Sequence, residues 1–302
     1  MTSTINPSSV VVATDGSEDA VRAVHWAAEQ AWLQRRPLVV VAATGSPLAP
    51  AMAWSGVGAA YAPTVEELVA HGRAVADESL GVVQHLRPGL DASAEVLVGD
   101  PRQVLVDLSH RVHALVVGSR GRGAFRSKLL GSVSASVSRE AACPVFVCRP
   151  RGGGAPLRGV LVGADGTPES LPVIEAAFHQ ASLLDVPLTV MHCVWDQVAA
   201  LAGPGLVSPH EAGLEQQRLL LAESVAGMRT KFPEVATDLQ LGRGVAEELL
   251  TTGSDGWSLV VVGRHPVDSL LRFLTGSVAT AVVERARTTV LVVPQAEPAE
   301  RD

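Results

Sequence analysis

Short apolar runs alternate along this chain with longer stretches of helical spacing. Val10 to Ala13 is a compact apolar run, and from Glu18 to Gln34 the positions Val21, Val24, Ala28, Ala31 and Trp32 fall on one helical face. Pro37 closes that connection, and Leu38 to Ala43 reads as a second strand. A loop rich in Ala, Gly and Pro covers residues 44–63. It leads to a helix over Val65 to Leu86, a strand near Ala94 to Val98, and a helix near Pro101 to Arg111, with Pro101 suited to a first helical turn. A strand over Ala114 to Val117, a helix over Ser132 to Ala141 and a last strand over Val145 to Cys148 complete the first half. Short apolar strands separated by helices predict a parallel sheet covered on both faces. Right-handed crossovers restrict the topology. Five strands in this order predict a flavodoxin-like α/β sheet of order 3-2-1-4-5.

The pattern then repeats. Val10-Val11-Val12-Ala13-Thr14-Asp15-Gly16-Ser17 returns as Val160-Leu161-Val162-Gly163-Ala164-Asp165-Gly166-Thr167, at an offset of 150 (165 minus 15). Leu130-Gly131-Ser132-Val133 returns as Thr275-Gly276-Ser277-Val278, at an offset of 145 (276 minus 131). A period this long marks duplication of a whole domain rather than a solenoid. The stretch 149–156 is a Gly/Pro linker with little to pack. The expected division is a first domain over 1–150, a second over 156–296 and a polar tail over 297–302. The last strands, Val145 to Cys148 and Val290 to Val293, are apolar edges. Such edges tend to pair, so the two halves are expected to pair through them.

Composition narrows the classes. Hydrophobic residues make up 47% against 18% charged, which supports packed cores and argues against disorder. Aromatics are only 4%, so Val, Leu and Ala carry the apolar load. A net charge of -7 argues against nucleic acid or an anionic membrane as partner. Residues 1–9 lack the features of a signal peptide, and no apolar run reaches the ~20 residues of a spanning helix. The expected location is cytoplasmic. Cys143, Cys148 and Cys193 match no metal or CxxC spacing and read as small buried thiols. His110 and His113 lack a third ligand and read as solvent-facing.

In doubly wound sheets ligands bind beyond the carboxyl ends of the strands, where strand order reverses. Here that crevice lies between strands 1 and 4. Asp15 follows strand 1, and Gly118 ends strand 4. After Gly118 come Ser119, Arg120 and Gly121, then a loop carrying Arg122, Arg126 and Lys128, then Gly131-Ser132 at the start of a helix. Glycines admit close approach of backbone to ligand, and a helix N-terminus offers free N–H groups to an anion. Ser132 and Ser134 add hydroxyls, though Ser132 also reads as an ordinary N-cap. A dinucleotide fingerprint is absent after the first strand. Gly118 to Gly123 is followed by Ala124 rather than the Lys-Ser/Thr of a P-loop, and no GxSxG elbow occurs.

The run from Gly118 through Gly121 to Gly131-Ser132 resembles the G-2x-G-9x-G-(S/T) motif of ATP-binding universal stress proteins, and Asp15-Gly16-Ser17 resembles their first-strand segment. The resemblance covers nearly the whole chain in two copies. It implies a nucleotide pocket with Asp15 at the adenine–ribose side and the backbone near Ala43 reading adenine. Gly118 and Gly121 would line ribose and phosphates. Gly131, Ser132 and Ser134 would hold the phosphates of ATP, accompanied by Mg2+. The second half keeps Asp165, Gly263, Gly276 and Ser277, and Cys193 takes the place of Ala43. Its middle glycine is replaced within Gly263-Arg264-His265-Pro266. Proline removes an N–H donor, so binding there is expected to be weaker or altered, with His265 and Arg272 as candidate compensating charges.

Three function classes stand open. The first is a nucleotide-dependent stress or regulatory protein, with unidentified protein partners and a homodimer as an open state. ATP would act through the loops 44–63 and 119–130, with Trp54 and Tyr61 as candidates to pack over it. The second is a slow ATPase or phosphotransferase. Efficient phosphoryl transfer needs a water-positioning group and a well-held metal, and Asp15 is the one convenient carboxylate. The third is an interaction module with nucleotide in the first domain alone.

Overall fold

In the computed structural model the residues described are 5–45, 64–121, 130–152, 157–195, 203–264 and 278–295. Trp54, Tyr61, Arg122, Arg126, Lys128, His265, Pro266, Arg272, Gly276 and Ser277 lie outside them. The chain divides into two compact units, Met1–Cys148 and Arg149–Asp302.

In the first unit the strands are β1 (Val10–Ala13), β2 (Leu38–Thr44), β3 (Ala92–Val98), β4 (Ala114–Gly118) and β5 (Val145–Cys148). The helices are α1 (Glu18–Gln34), α2 (Val65–Leu86), α3 (Pro101–Ser109) and α4 (Ser132–Glu140). The sheet order is β3-β2-β1-β4-β5, as the alternation predicts. All pairings within it are parallel, and Val10 sits opposite both Leu38 and Ala114. Val10, Val11, Val12, Leu38, Val40 and Leu115 are fully buried, as strands covered on both faces require. Helix α1 packs against α2, and α3 against α4. That grouping follows when right-handed crossovers turn back at β1.

Helix α1 corrects one sequence expectation. Its buried stripe is Asp19, Ala20, Ala23, Val24, Ala27, Ala28 and Ala31, while Val21 and Trp32 are 40% and 45% exposed. Alanine side chains let the helix lie close on the sheet, and Val24 alone of the three larger predicted positions stays inside. The Trp32 ring instead sits beneath the Arg87 guanidinium, 5.8 Å from the ring centre. Helix α2 starts at a capping box, with Thr64 and Glu67 each accepting from the other's backbone N–H. His113 is not simply solvent-facing, since Nε2 lies 2.9 Å from Gln34 Oε1; His110 is exposed.

The second unit has β6 (Val160–Gly163), β7 (Leu188–Val194), β8 (Gly205–Leu206), β9 (Thr237–Arg243), β10 (Leu259–Arg264) and β11 (Val290–Pro294). Its helices are α5 (Leu171–Leu184), α6 (Glu215–Lys231), α7 (Ala246–Thr251) and α8 (Val278–Arg285). The parallel core β9-β7-β6-β10-β11 repeats the first unit's order. Two features depart from the first half. The two-residue β8 pairs antiparallel with the end of β9, Gly205 opposite Arg243. A 3-10 turn over Pro168–Ser170 precedes α5, whereas Ser17 caps α1 directly.

Candidate functional site

The carboxyl end of β1 turns sharply. Thr14 N–H donates to Val41 O at 2.9 Å, continuing the ladder past Ala13, and Thr14 Oγ1 lies 3.0 Å from Ser79 Oγ of α2. Gly16 takes φ 73°, where glycine is favoured, and Ser17 N–H donates to Asp15 Oδ1 at 3.0 Å. Ser17 then accepts from Ala20 N–H and starts α1. This turn leaves Asp15 half-buried at the sheet's carboxyl edge. Ala43 belongs to the same edge. The last β1–β2 pair is Ala13 with Val41, so Ala43 lies beyond the end of β1.

Gly118 ends β4 against the first turn of α1. A Cβ on it would come within 2.7 Å of Asp19 C and O and 2.9 Å of Ala20 N. A side chain at this position would therefore strike helix backbone. Gly131 N–H donates to Ser119 O at 2.8 Å, which folds the start of α4 back onto the end of β4. Gly131 is the N-cap of α4 and supplies no side-chain cap, so Ser132 is the first helical residue rather than the cap. Ser132 is exposed. Ser134 is buried, and its hydroxyl donates to Gly118 O at 2.5 Å, tying α4 to β4.

Gly121 joins these pieces. A Cβ on it would lie 2.5 Å from Asp15 Oδ2, and a Cβ on Gly131 would lie 3.7 Å from Gly121 N. Asp15, Gly118, Gly121, Gly131 and Ser132 are thus brought to one end of the β1–β4 crevice. The arrangement places a carboxylate on one side and a helix N-terminus without a side-chain cap on the other.

Sequence reasoning missed one residue here. Asp19, only 6% exposed, accepts from Ser119 Oγ at 2.6 Å and Arg120 Nε at 3.2 Å through Oδ2, while Arg22 pairs with its Oδ1. Burial alone would raise its pKa. The hydrogen bonds from Ser119 and Arg120 and the charges of Arg22 and Arg120 outweigh burial and hold the carboxyl below its ordinary range. The available signal was a carboxylate in register with Ala23 on the alanine stripe that faces the sheet.

The second unit keeps the outline and changes the contacts. Asp165 is exposed, and its Oδ1 accepts both the N–H and the hydroxyl of Thr167, at 2.9 and 2.7 Å. A Cβ on Gly263 would meet side chains, Gln295 Nε2 at 2.7 Å and Val173 Cγ2 at 2.8 Å, where Gly118 faces backbone. At the end of β7, His192 Nδ1 lies 2.9 Å from Ala164 O, so that nitrogen carries the donated proton. Next to it, burial and the Glu247 carboxylate push the Cys193 thiol up to about 11, so it is protonated at neutral pH. Gly276 and Ser277 are outside the described residues. Among the described residues no group of three or more His, Cys, Asp or Glu is placed to hold a metal ion, and no helix is long and apolar enough to cross a membrane.

Two tandem doubly wound units, each with its strand order reversing beside the first strand, define an α/β protein of flavodoxin-like architecture. The chain belongs to the universal stress protein family, whose profile matches residues 8–149 and again 156–294. It is 34% identical over 298 residues to Universal stress protein Rv2005c of Mycobacterium tuberculosis, covering 95% of this chain and 97% of that one. Universal stress protein Rv2623 of the same organism is 34% identical over 290 residues, covering 94% and 95%. The crystal structure of a universal stress protein from Archaeoglobus fulgidus superposes with a TM-score of 0.66 at 17% identity, over 96% of this chain and 99% of that one. That likeness supports the fold.

Proposed function

We propose that the first unit binds ATP, with Mg2+ carried on the phosphates, and that the protein acts as a nucleotide-dependent regulator. The observation that carries this reading is the placement of Gly121 between the Asp15 carboxylate and the Gly131 turn. The free N–H groups at the start of α4 suit an anion. Asp15 suits a ribose hydroxyl, and the backbone near Ala43 offers an edge for adenine. Gly118 lets the end of β4 pack closely on the first turn of α1, since a Cβ there would strike Asp19 backbone, and so sets where the loop after it begins.

In the second unit the reading is weaker binding through Asp165, Cys193, Gly263, Gly276 and Ser277. Asp165 is engaged with Thr167, and the space at Gly263 is taken by Gln295 and Val173. A cytoplasmic setting agrees with three free cysteines.

The test is direct. Protein purified, denatured and chromatographed should release ATP or ADP, and calorimetry should give one tight site per chain. Absence of any bound or binding adenine nucleotide would sink the reading. A second reading, slow ATP hydrolysis, is separated by turnover. A rate near the ~10 s⁻¹ of ordinary enzymes would place the protein among phosphotransferases or ATPases instead.

A further inference from the structure

We infer that Asp19 is a positioning residue for the phosphate side of the first unit's site. It fixes the two residues between the glycines Gly118 and Gly121 and thereby aims the Gly121 and Gly131 turns. The inference rests on the nucleotide reading above for its functional consequence, and on geometry for its structural one.

One carboxylate oxygen, Asp19 Oδ2, takes both grips: Ser119 Oγ at 2.6 Å and Arg120 Nε at 3.2 Å. Ser119 is 1% exposed and Asp19 6%, so this is an interior junction rather than a surface pair. The backbone on either side is bound into the same junction. Ser119 N–H donates to Cys148 O, and Ser119 O accepts from Gly131 N–H. Arg120 O accepts from Ser17 Oγ at 3.4 Å. Residues 119 and 120 therefore have little freedom to rotate while Asp19 holds their side chains, and the next residue is Gly121.

The consequence is electrostatic as well as steric. The Arg120 guanidinium, with side-chain exposure of 37%, is turned toward α1 by an ion pair rather than left to sweep the crevice. Asp19 is held in turn by Arg22 from its own helix, so the carboxylate does not depend on Arg120 for its charge balance. Charge-assisted bonds of this kind are stronger than neutral ones, and a junction with several members rigidifies what it joins. A preorganised phosphate loop loses less entropy on binding than a mobile one.

The experiment compares Asp19→Ala, Asp19→Asn and the control Glu18→Ala in the full chain. Glu18 is exposed, lies in the same first helical turn and removes an equal charge from the helix N-terminus. Amide hydrogen exchange without ligand is read at residues 119–121 and 131–134, alongside calorimetry with ATP. The expected order is Ala worst, Asn partly restored because its oxygen still accepts from Ser119, and Glu18→Ala unchanged. Exchange should quicken about tenfold or more and ATP affinity fall about tenfold in Asp19→Ala, which removes both charge-assisted bonds to the loop. Equal effects from Glu18→Ala, or unchanged exchange at 119–121 in a folded Asp19→Ala, overturn the proposal. If wild-type protein binds no ATP, the functional reading fails on its own, and the exchange pattern still decides whether Asp19 positions the loop.

Discussion

The Asp15 carboxylate lies directly over the Cα of Gly121, with Oδ2 2.5 Å from where a Cβ would stand. The middle glycine of the motif therefore serves a contact across the crevice, apart from any role toward a ligand. Oδ1 of the same carboxylate is committed to Ser17 N–H, so Asp15 has little room to swing aside.

Replacing Gly121 by Ala should displace the Asp15 side chain and weaken ATP binding by ~1–3 kcal/mol, the usual range for an overpacked contact. Thermal stability should change less, since the crevice is a local feature. Asp15→Ala should weaken binding too, and the double variant should cost less than the sum of the singles because the clash disappears. Strict additivity in a calorimetric cycle would mean the two residues act independently, contrary to the geometry.

Gly118, the last residue of β4, and Gly263, the next-to-last of β10, face different obstacles. Gly118→Ala drives a methyl into the α1 backbone, at 2.7 Å from Asp19 C and O. Gly263→Ala meets the amide of Gln295 and a methyl of Val173, which are side-chain atoms free to rotate. The first change should cost ~3 kcal/mol or more, and the second ~1 kcal/mol, in urea unfolding followed by a probe of each unit. A larger loss at Gly263 than at Gly118 would contradict this account.

Much of this was legible in the chain, and the reasons differ by element. The runs Val10–Ala13 and Val145–Cys148 are bounded by turns and fully apolar, so both their strand character and their burial could be read directly. The approach of the segments that carry Asp15 and Gly118 followed from strand order, because β1 and β4 are neighbours. The face of α1 was misread because Ala20, Ala23 and Ala27 carry little hydrophobic signal, while Val21 and Trp32 carry much and point outward. The strand β8 was invisible, since Gly205-Leu206 has no period to detect and exists through its pairing with β9. Asp19 was passed over because an acidic residue in a first helical turn is ordinary. Only its burial against β4 separates it from Glu18.

Asp19 gives the fold a pH dependence with a definite sign. Its folded pKa is depressed, so its bonds add stability that is fully present above the unfolded value of about 3.8 and is lost as pH falls through the folded value. Asp19→Asn cannot titrate. In urea unfolding the wild type should therefore exceed Asp19→Asn at neutral pH by a constant margin, which shrinks as pH falls from about 3.8 through the lower folded value. A margin that stays constant down to the acid limit would show that ionisation of Asp19 is not what holds the junction.

Cys193 offers the opposite case, a group whose protonated form is favoured. Burial and the nearby Glu247 push its thiol up to about 11, against an ordinary value of 9.0. Thiolate is the form that attacks an alkylating reagent, so at pH 8 the reactive fraction is roughly a hundredfold smaller than for an ordinary cysteine. Cys143 and Cys148 are buried as the sequence predicts, whereas Cys193 is half-buried. Native protein treated with iodoacetamide at pH 8 should stay unlabelled at Cys193 by mass spectrometry and become labelled once urea unfolds it. Labelling of native Cys193 at the rate of a free thiol would instead point to an activated cysteine at the end of β7, contrary to the raised thiol.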